Sequence, residues 1–146
     1  MALLKDLEQA SKGTRASLSE VLDALPYNEQ GLIAAIAQDA SSEAVLMLAW
    51  MDRTAIERTL ADGDVWYYSR SRQAYWRKGE SSGQVQKLIE FRWDCDGDTV
   101  LLLVEQRGVA CHTGRKNCFF NAIRDGEAAV IADVEIDPRD LYGAKK

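Results

Sequence analysis

Hydrophobic and polar positions alternate along the chain with two different periods. Ser17-Leu18-Ser19-Glu20 reads as a capping box. It opens a short helix with Leu18, Val21, Leu22 and Leu25 on one face, and Pro26 ends it. Residues 32–38 and 44–50 are apolar runs joined by Asp39-Ala40-Ser41-Ser42, the signature of a hairpin. Asp52 stands as N-cap of a helix reaching Ala61, with Ile56 and Leu60 turned inward and Gly63 as its stop. Strands are predicted over 65–69, 84–93 and 99–106, with imperfect alternation in the second. The third is almost wholly apolar from Val100 to Val104, which predicts a central strand covered on both faces. Residues 128–134 make a further strand, and the mixed, polar residues 1–16 read as a loosely held arm. The expected fold is α+β, a mostly antiparallel sheet with few helices, in a single domain over 1–146.

Composition narrows the function. With 146 residues the chain is one domain, and 47% hydrophobic with 28% charged residues is ordinary globular usage. A net charge of −5 argues against nonspecific nucleic-acid binding. No apolar stretch resembles a signal peptide or a bilayer span, so a cytoplasmic protein is expected. The cysteines are Cys95, Cys111 and Cys118. An odd count without a secretion signal speaks against a disulfide framework and leaves buried fillers, nucleophiles or metal ligands.

Three segments carry candidate chemistry. Asp94-Cys95-Asp96-Gly97-Asp98 is either a polar turn or a site for a hard, oxygen-liganded cation. An EF-hand is excluded, because Thr99 stands where the turn glycine belongs. If the strand continues through Asp96, the carboxylates of Asp94 and Asp96 share one side and Cys95 faces the other. Downstream, residues 108–118 contain two thiols and His112, the chain's single histidine. Three thiolates can hold zinc and leave its fourth position open to water, although no C-x-x-C spacing occurs. His112 could serve as a neighbouring base, or Cys111 and His112 as a nucleophilic dyad. The third segment is basic: six cationic and two acidic residues lie between Ser69 and Arg92. Ser69, Arg70, Ser71, Arg72, Trp76, Lys78, Glu80 and Ser82 are its candidate substrate and phosphate contacts, against the plain reading of a solvated loop.

Residues 32–119 resemble the phosphoribosyl-AMP cyclohydrolase family. The resemblance rests on Leu46-Met47-Leu48-Ala49-Trp50-Met51, Ser69-Arg70-Ser71-Arg72, Trp76-Arg77-Lys78-Gly79-Glu80, the Asp94 to Asp98 segment and Ala110-Cys111-His112-Thr113-Gly114. It implies an intertwined homodimer with zinc (Zn2+) on Cys95, Cys111 and Cys118, some of them contributed across the interface. It also implies magnesium (Mg2+) on Asp94, Asp96 and Asp98. The implied reaction belongs to histidine biosynthesis. Water cleaves the N1–C6 bond of the adenine ring of phosphoribosyl-AMP, giving the formimino-carboxamide ribotide, with His112 as candidate for moving the proton. The chain departs from the family at Ser81-Ser82-Gly83-Gln84, where Thr-Ser-Gly followed by His or Asn is common. It also departs at Tyr75 and Asn117. The chain is too short for the fused pyrophosphatase domain of some relatives. The zinc deaminase signature is absent. The rival readings are a zinc hydrolase of another nucleotide-like amidine and a non-enzymatic zinc-stabilised nucleotide-binding module.

Overall fold

A computed structural model describes residues 2–142. Its centre is a four-stranded sheet whose strands lie side by side in the order Val45–Met51, Ile33–Asp39, Thr99–Gln106 and Gln86–Trp93. β1 (Ile33–Asp39) and β2 (Val45–Met51) form the expected hairpin. The Asp39 carboxylate fastens its turn by accepting from the backbone N–H groups of Ser41 and Ser42 at 3.1 and 2.8 Å. β6 (Thr99–Gln106) lies parallel to β1 and antiparallel to β5 (Gln86–Trp93). The imperfect alternation in β5 has a geometric cause: Leu88 and Glu90 face successive residues of β6, so Ile89 is an extra, bulged residue. Ile89 is accordingly 60% exposed.

α2 (Leu18–Ala24) begins at Ser17, whose hydroxyl accepts from the N–H of Glu20. α3 (Arg53–Asp62) begins at Asp52 and stops at Gly63, which adopts the left-handed backbone that glycine takes freely. Both helices cover one face of the sheet. The core there joins Leu22 and Leu25, Ala55 and Ile56 to Ile33, Ala35, Met47, Met51, Val100, Leu102 and Val104. Burying each large side chain stabilises the fold by about 1.5–3 kcal/mol. Leu18, expected on the buried face of α2, is instead 58% exposed. It stands on the first turn, before the helix reaches the sheet.

β6 departs from expectation in the same sense. Val100, Leu102 and Val104 are buried, but Leu101 and Leu103 are only half-buried. Among the described residues no element covers that second face, which also leaves Leu48 exposed. Residues 1–16 contain a helix rather than only an arm: α1 (Ala2–Glu8) buries Leu4. Leu4 packs so closely over Gly97 that a Cβ there would meet it at 2.8 Å.

Two ribbons complete the fold. β3 (Trp66–Ser69) pairs with β4 (Ala74–Arg77), a strand the sequence pattern does not announce. β7 (Asn121–Arg124) pairs with β8 (Glu127–Val130) through Asp125-Gly126, both at positive φ as a tight hairpin turn requires. The strand expected over 128–134 is therefore shorter and shifted. Ile123 and Val130 on this ribbon are 78% and 63% exposed. α4 (Pro138–Tyr142) closes the described chain. No helix among the described residues is long and apolar enough to cross a membrane.

Candidate active site

The sequence-predicted residues gather at the two ends of β6. That strand has eight residues, so its ends lie roughly 25 Å apart.

At the C-terminal end the loop over 107–118 brings Cys111 and Cys118 together. Cys111 is buried, and its sulfur accepts from the Thr113 hydroxyl at 3.1 Å. Cys118 is set beside it by its backbone N–H, which donates to the Leu46 carbonyl at 2.8 Å. Burial opposes the Cys111 thiolate, but hydrogen bonds from Thr113 and Cys118 hold its pKa below the ordinary thiol value. Burial of the Cys118 thiol and the neighbouring Cys111 push Cys118 up to about 12, although the residue as a whole is still open to solvent. Two adjacent thiols, with the Cys111 thiolate favoured by its hydrogen bonds, are the donor chemistry a soft divalent metal uses. His112 is exposed on the same loop.

The loop backbone is held by side chains that sequence reasoning did not select. The Gln84 amide oxygen accepts from Val109 N–H at 3.0 Å. It fits only because residue 108 is glycine; a Cβ there would lie 1.6 Å from that oxygen. The Gln106 amide donates to the Arg107 carbonyl at 2.9 Å. Its own oxygen accepts from Gln86 at 2.9 Å, and Gln86 accepts from the Tyr67 hydroxyl at 2.8 Å. Gln86 and Tyr67 are fully buried. Amides spaced two apart on strands are the one signal the sequence offered for this network.

The basic segment forms the β3–β4 ribbon and the loop after it, and it opens two clefts that share Trp76. One, of about 700 Å³, is lined by Trp50, Tyr68, Ser69, Arg70 and Ser71. There the Arg70 guanidinium lies 4.7 Å over the Trp50 ring. The other, of about 230 Å³, is lined by Arg72, Arg77, Lys78, Glu80, Ser81, Ser82 and Tyr142. In it the Glu80 carboxylate accepts from Arg77 N–H at 2.8 Å and the Ser82 hydroxyl from Gln84 N–H at 3.2 Å, so both shape the loop. The Lys78 ammonium points inward to the Ala110 carbonyl at 2.5 Å.

At the N-terminal end of β6 stand Asp94, Cys95, Asp96 and Asp98. β5 stops at Trp93, so these residues form a turn, not the strand continuation expected. Asp98 N–H donates to the Asp94 carboxylate at 3.0 Å and Gly97 N–H to its carbonyl at 3.0 Å. The turn gathers all three exposed carboxylates, with oxygens within 4.8 Å of one another. Hydrogen bonding to Asp94 and Asp96 raises the pKa of Asp98, as expected where crowded carboxylates share a proton. Cys95 is exposed beside Leu4, Leu7 and Trp93, in a cleft remote from the other two thiols. One chain therefore brings together two of the three cysteines and all three aspartates.

Comparison with known proteins fits these elements. The family model described as phosphoribosyl-AMP cyclohydrolase matches residues 47–120. The phosphoribosyl-AMP cyclohydrolase of Alkalilimnicola ehrlichii is 61% identical over 140 residues, 96% of this chain and 99% of its own. Phosphoribosyl-AMP cyclohydrolase 2 of Pseudomonas fluorescens is 63% identical over 136 residues, covering 93% and 92%. The Rhodospirillum centenum enzyme of the first name is 58% identical over 130 residues, covering 89% and 98%. Matches of that identity over nearly the whole length, with the thiol loop and Trp76 inside the segment the family model matches, place this chain in the phosphoribosyl-AMP cyclohydrolase family.

Proposed function

We propose that the chain is a cytoplasmic hydrolase of histidine biosynthesis that opens the adenine ring of phosphoribosyl-AMP. Water adds across the N1–C6 bond: its oxygen becomes the carboxamide oxygen on C6, and a hydrogen goes to N1 as that bond breaks. The observation that carries this reading, beside family membership, is the paired thiols of Cys111 and Cys118 next to two cationic clefts. The substrate carries two 5′-phosphates, one at each end of its purine. Arg70 with Ser69 and Ser71 suits one phosphate; Arg72, Arg77 and Ser82 suit the other. Trp76, common to both clefts, offers its ring to the base between them. His112, exposed on the thiol loop, delivers the proton to N1.

The thiol set suits zinc, with Cys111 and Cys118 from one chain and Cys95 from a second copy. Bound there, zinc would supply an acidified water. Two features support the second copy. The ends of β6 are too far apart for one chain to complete the set, and the uncovered sheet face leaves Leu48 exposed and Leu101 and Leu103 only half-buried. Asp94, Asp96 and Asp98 suit Mg2+ by their oxygen donors and close spacing. The test is incubation of the purified protein with phosphoribosyl-AMP while ring opening is followed by ultraviolet absorbance. An unchanged spectrum with metals supplied refutes the reading.

A further inference from the structure

Lys78 stands among the cationic residues of the second cleft, yet it is built differently from them. It is 9% exposed, and its Nζ donates to the Ala110 carbonyl at 2.5 Å. Its own backbone N–H donates to the Val65 carbonyl at 2.9 Å, which ties its backbone to the chain just before β3. Among the described residues no ion pair includes it. The titratable groups close enough to act on it are the thiols of Cys118 and Cys111. A buried ammonium without a carboxylate partner is expensive unless some other anion stands close. Two thiolates of a zinc centre are such an anion: three thiolates around a divalent ion carry a net charge of minus one. Ala110 also immediately precedes Cys111, so the same ammonium fixes the backbone that presents that sulfur.

We propose that Lys78 is the internal counter-charge and positioning residue of the thiol centre, rather than a ligand for a substrate phosphate. This rests on the zinc reading above. Arg72 and Arg77 remain as the phosphate-facing cations of the cleft.

The test compares wild type, Lys78→Met and Lys78→Arg, each measured for zinc affinity by chelator competition, for KM and for the melting temperature with and without zinc. The Met variant is expected to hold zinc about 10–100-fold more weakly, the usual effect of losing a supporting group around a metal ligand. Its KM stays near wild type. Without metal it melts at or above wild type, because an unpaired buried charge has gone. The Arg variant, which keeps the charge, retains most of the affinity. A merely structural role would not give weaker zinc binding together with an undiminished metal-free melting temperature and rescue by Arg. If the Met variant fails to fold, Lys78→Gln, which keeps a donor for Ala110 without the charge, is read in the same way. A raised KM with unchanged zinc affinity makes Lys78 a phosphate ligand and overturns the proposal. Unchanged affinity and KM overturn it as well. If wild type itself binds no zinc, the zinc reading falls first and this proposal with it.

Discussion

The loop over 107–118 and the turn over 94–98 both present cysteine beside other candidate ligands, and they are held in opposite ways. The loop is fastened from outside itself: Gln84, Gln106 and Lys78, from three separate segments, hold the backbone of residues 107, 109 and 110. The turn is held mainly by its own hydrogen bonds and by α1 leaning on Gly97, and its carboxylates face solvent. The thiol end is therefore preorganised, with its sulfurs placed before any ion arrives. The acidic end is a local assembly whose like charges repel until a cation or a proton stands between them. On the proposed zinc reading, a ligand shell built partly on each kind of end would draw its precision from the loop and its completeness from a second copy.

The sharpest way to break this comparison is to remove sulfur from each end in turn. Cys111→Ser and Cys118→Ser should each lose zinc and activity. Cys95→Ala should be equally inactive, even though its thiol lies far from the others within one chain. Unfolding equal amounts of the Cys95→Ala and Cys111→Ala proteins together and refolding them with zinc should restore roughly a quarter of wild-type activity. Half of randomly paired dimers are mixed, and one of their two sites is free of lesions. No recovery, in a preparation shown to contain mixed dimers, would place all ligands within one chain. Next in size is His112→Ala, expected to lower kcat by about 10²–10⁴-fold with zinc retained. Near-normal turnover removes His112 from the mechanism, and loss of zinc makes it a ligand.

Smaller effects sharpen the contrast between fastened and local structure. Tyr67→Phe keeps the ring against Trp76 but takes the donor from the buried Gln86 amide. It should cost about 1–3 kcal/mol in denaturant unfolding, the price of one buried polar group left unpaired. An unchanged midpoint would mean that the amide network does not help hold the loop. Asp96→Asn, at the exposed turn, should leave folding and zinc content intact and raise only the Mg2+ concentration needed for activity. An unchanged Mg2+ dependence returns the aspartates to the role of a plain turn.

Elements governed by local chemistry were legible in the sequence. The β1–β2 hairpin follows from Asp39 and its serines, and α3 from an Asp52 cap and a Gly63 stop. β6 follows from its apolar run. What escaped depends on partners distant along the chain. β4 is a short run of Ala, Tyr, Trp and Arg that becomes a strand only because β3 lies beside it. The Leu3, Leu4 and Leu7 spacing of α1 was present but sat in a polar segment. Ile89 obscured the alternation of β5 by being a bulge. At the site, residue types announced the thiols, the aspartates and the basic ribbon. That Lys78 turns inward while Arg70 and Arg72 stay outside is decided by packing, which spacing does not encode. The glutamines that hold the loop belong to strands whose pairing must be known before their reach can be seen.

The contact between Gly108 and the Gln84 amide also constrains how the sequence can drift. Any side chain at position 108 occupies the space of that amide oxygen, so residue 108 cannot enlarge while Gln84 stays as it is. A lineage that enlarged residue 108 would first need a shorter residue at 84 and another acceptor for the N–H of Val109. A chimera that takes a larger residue 108 from a relative while keeping Gln84 should therefore be less stable than either parent.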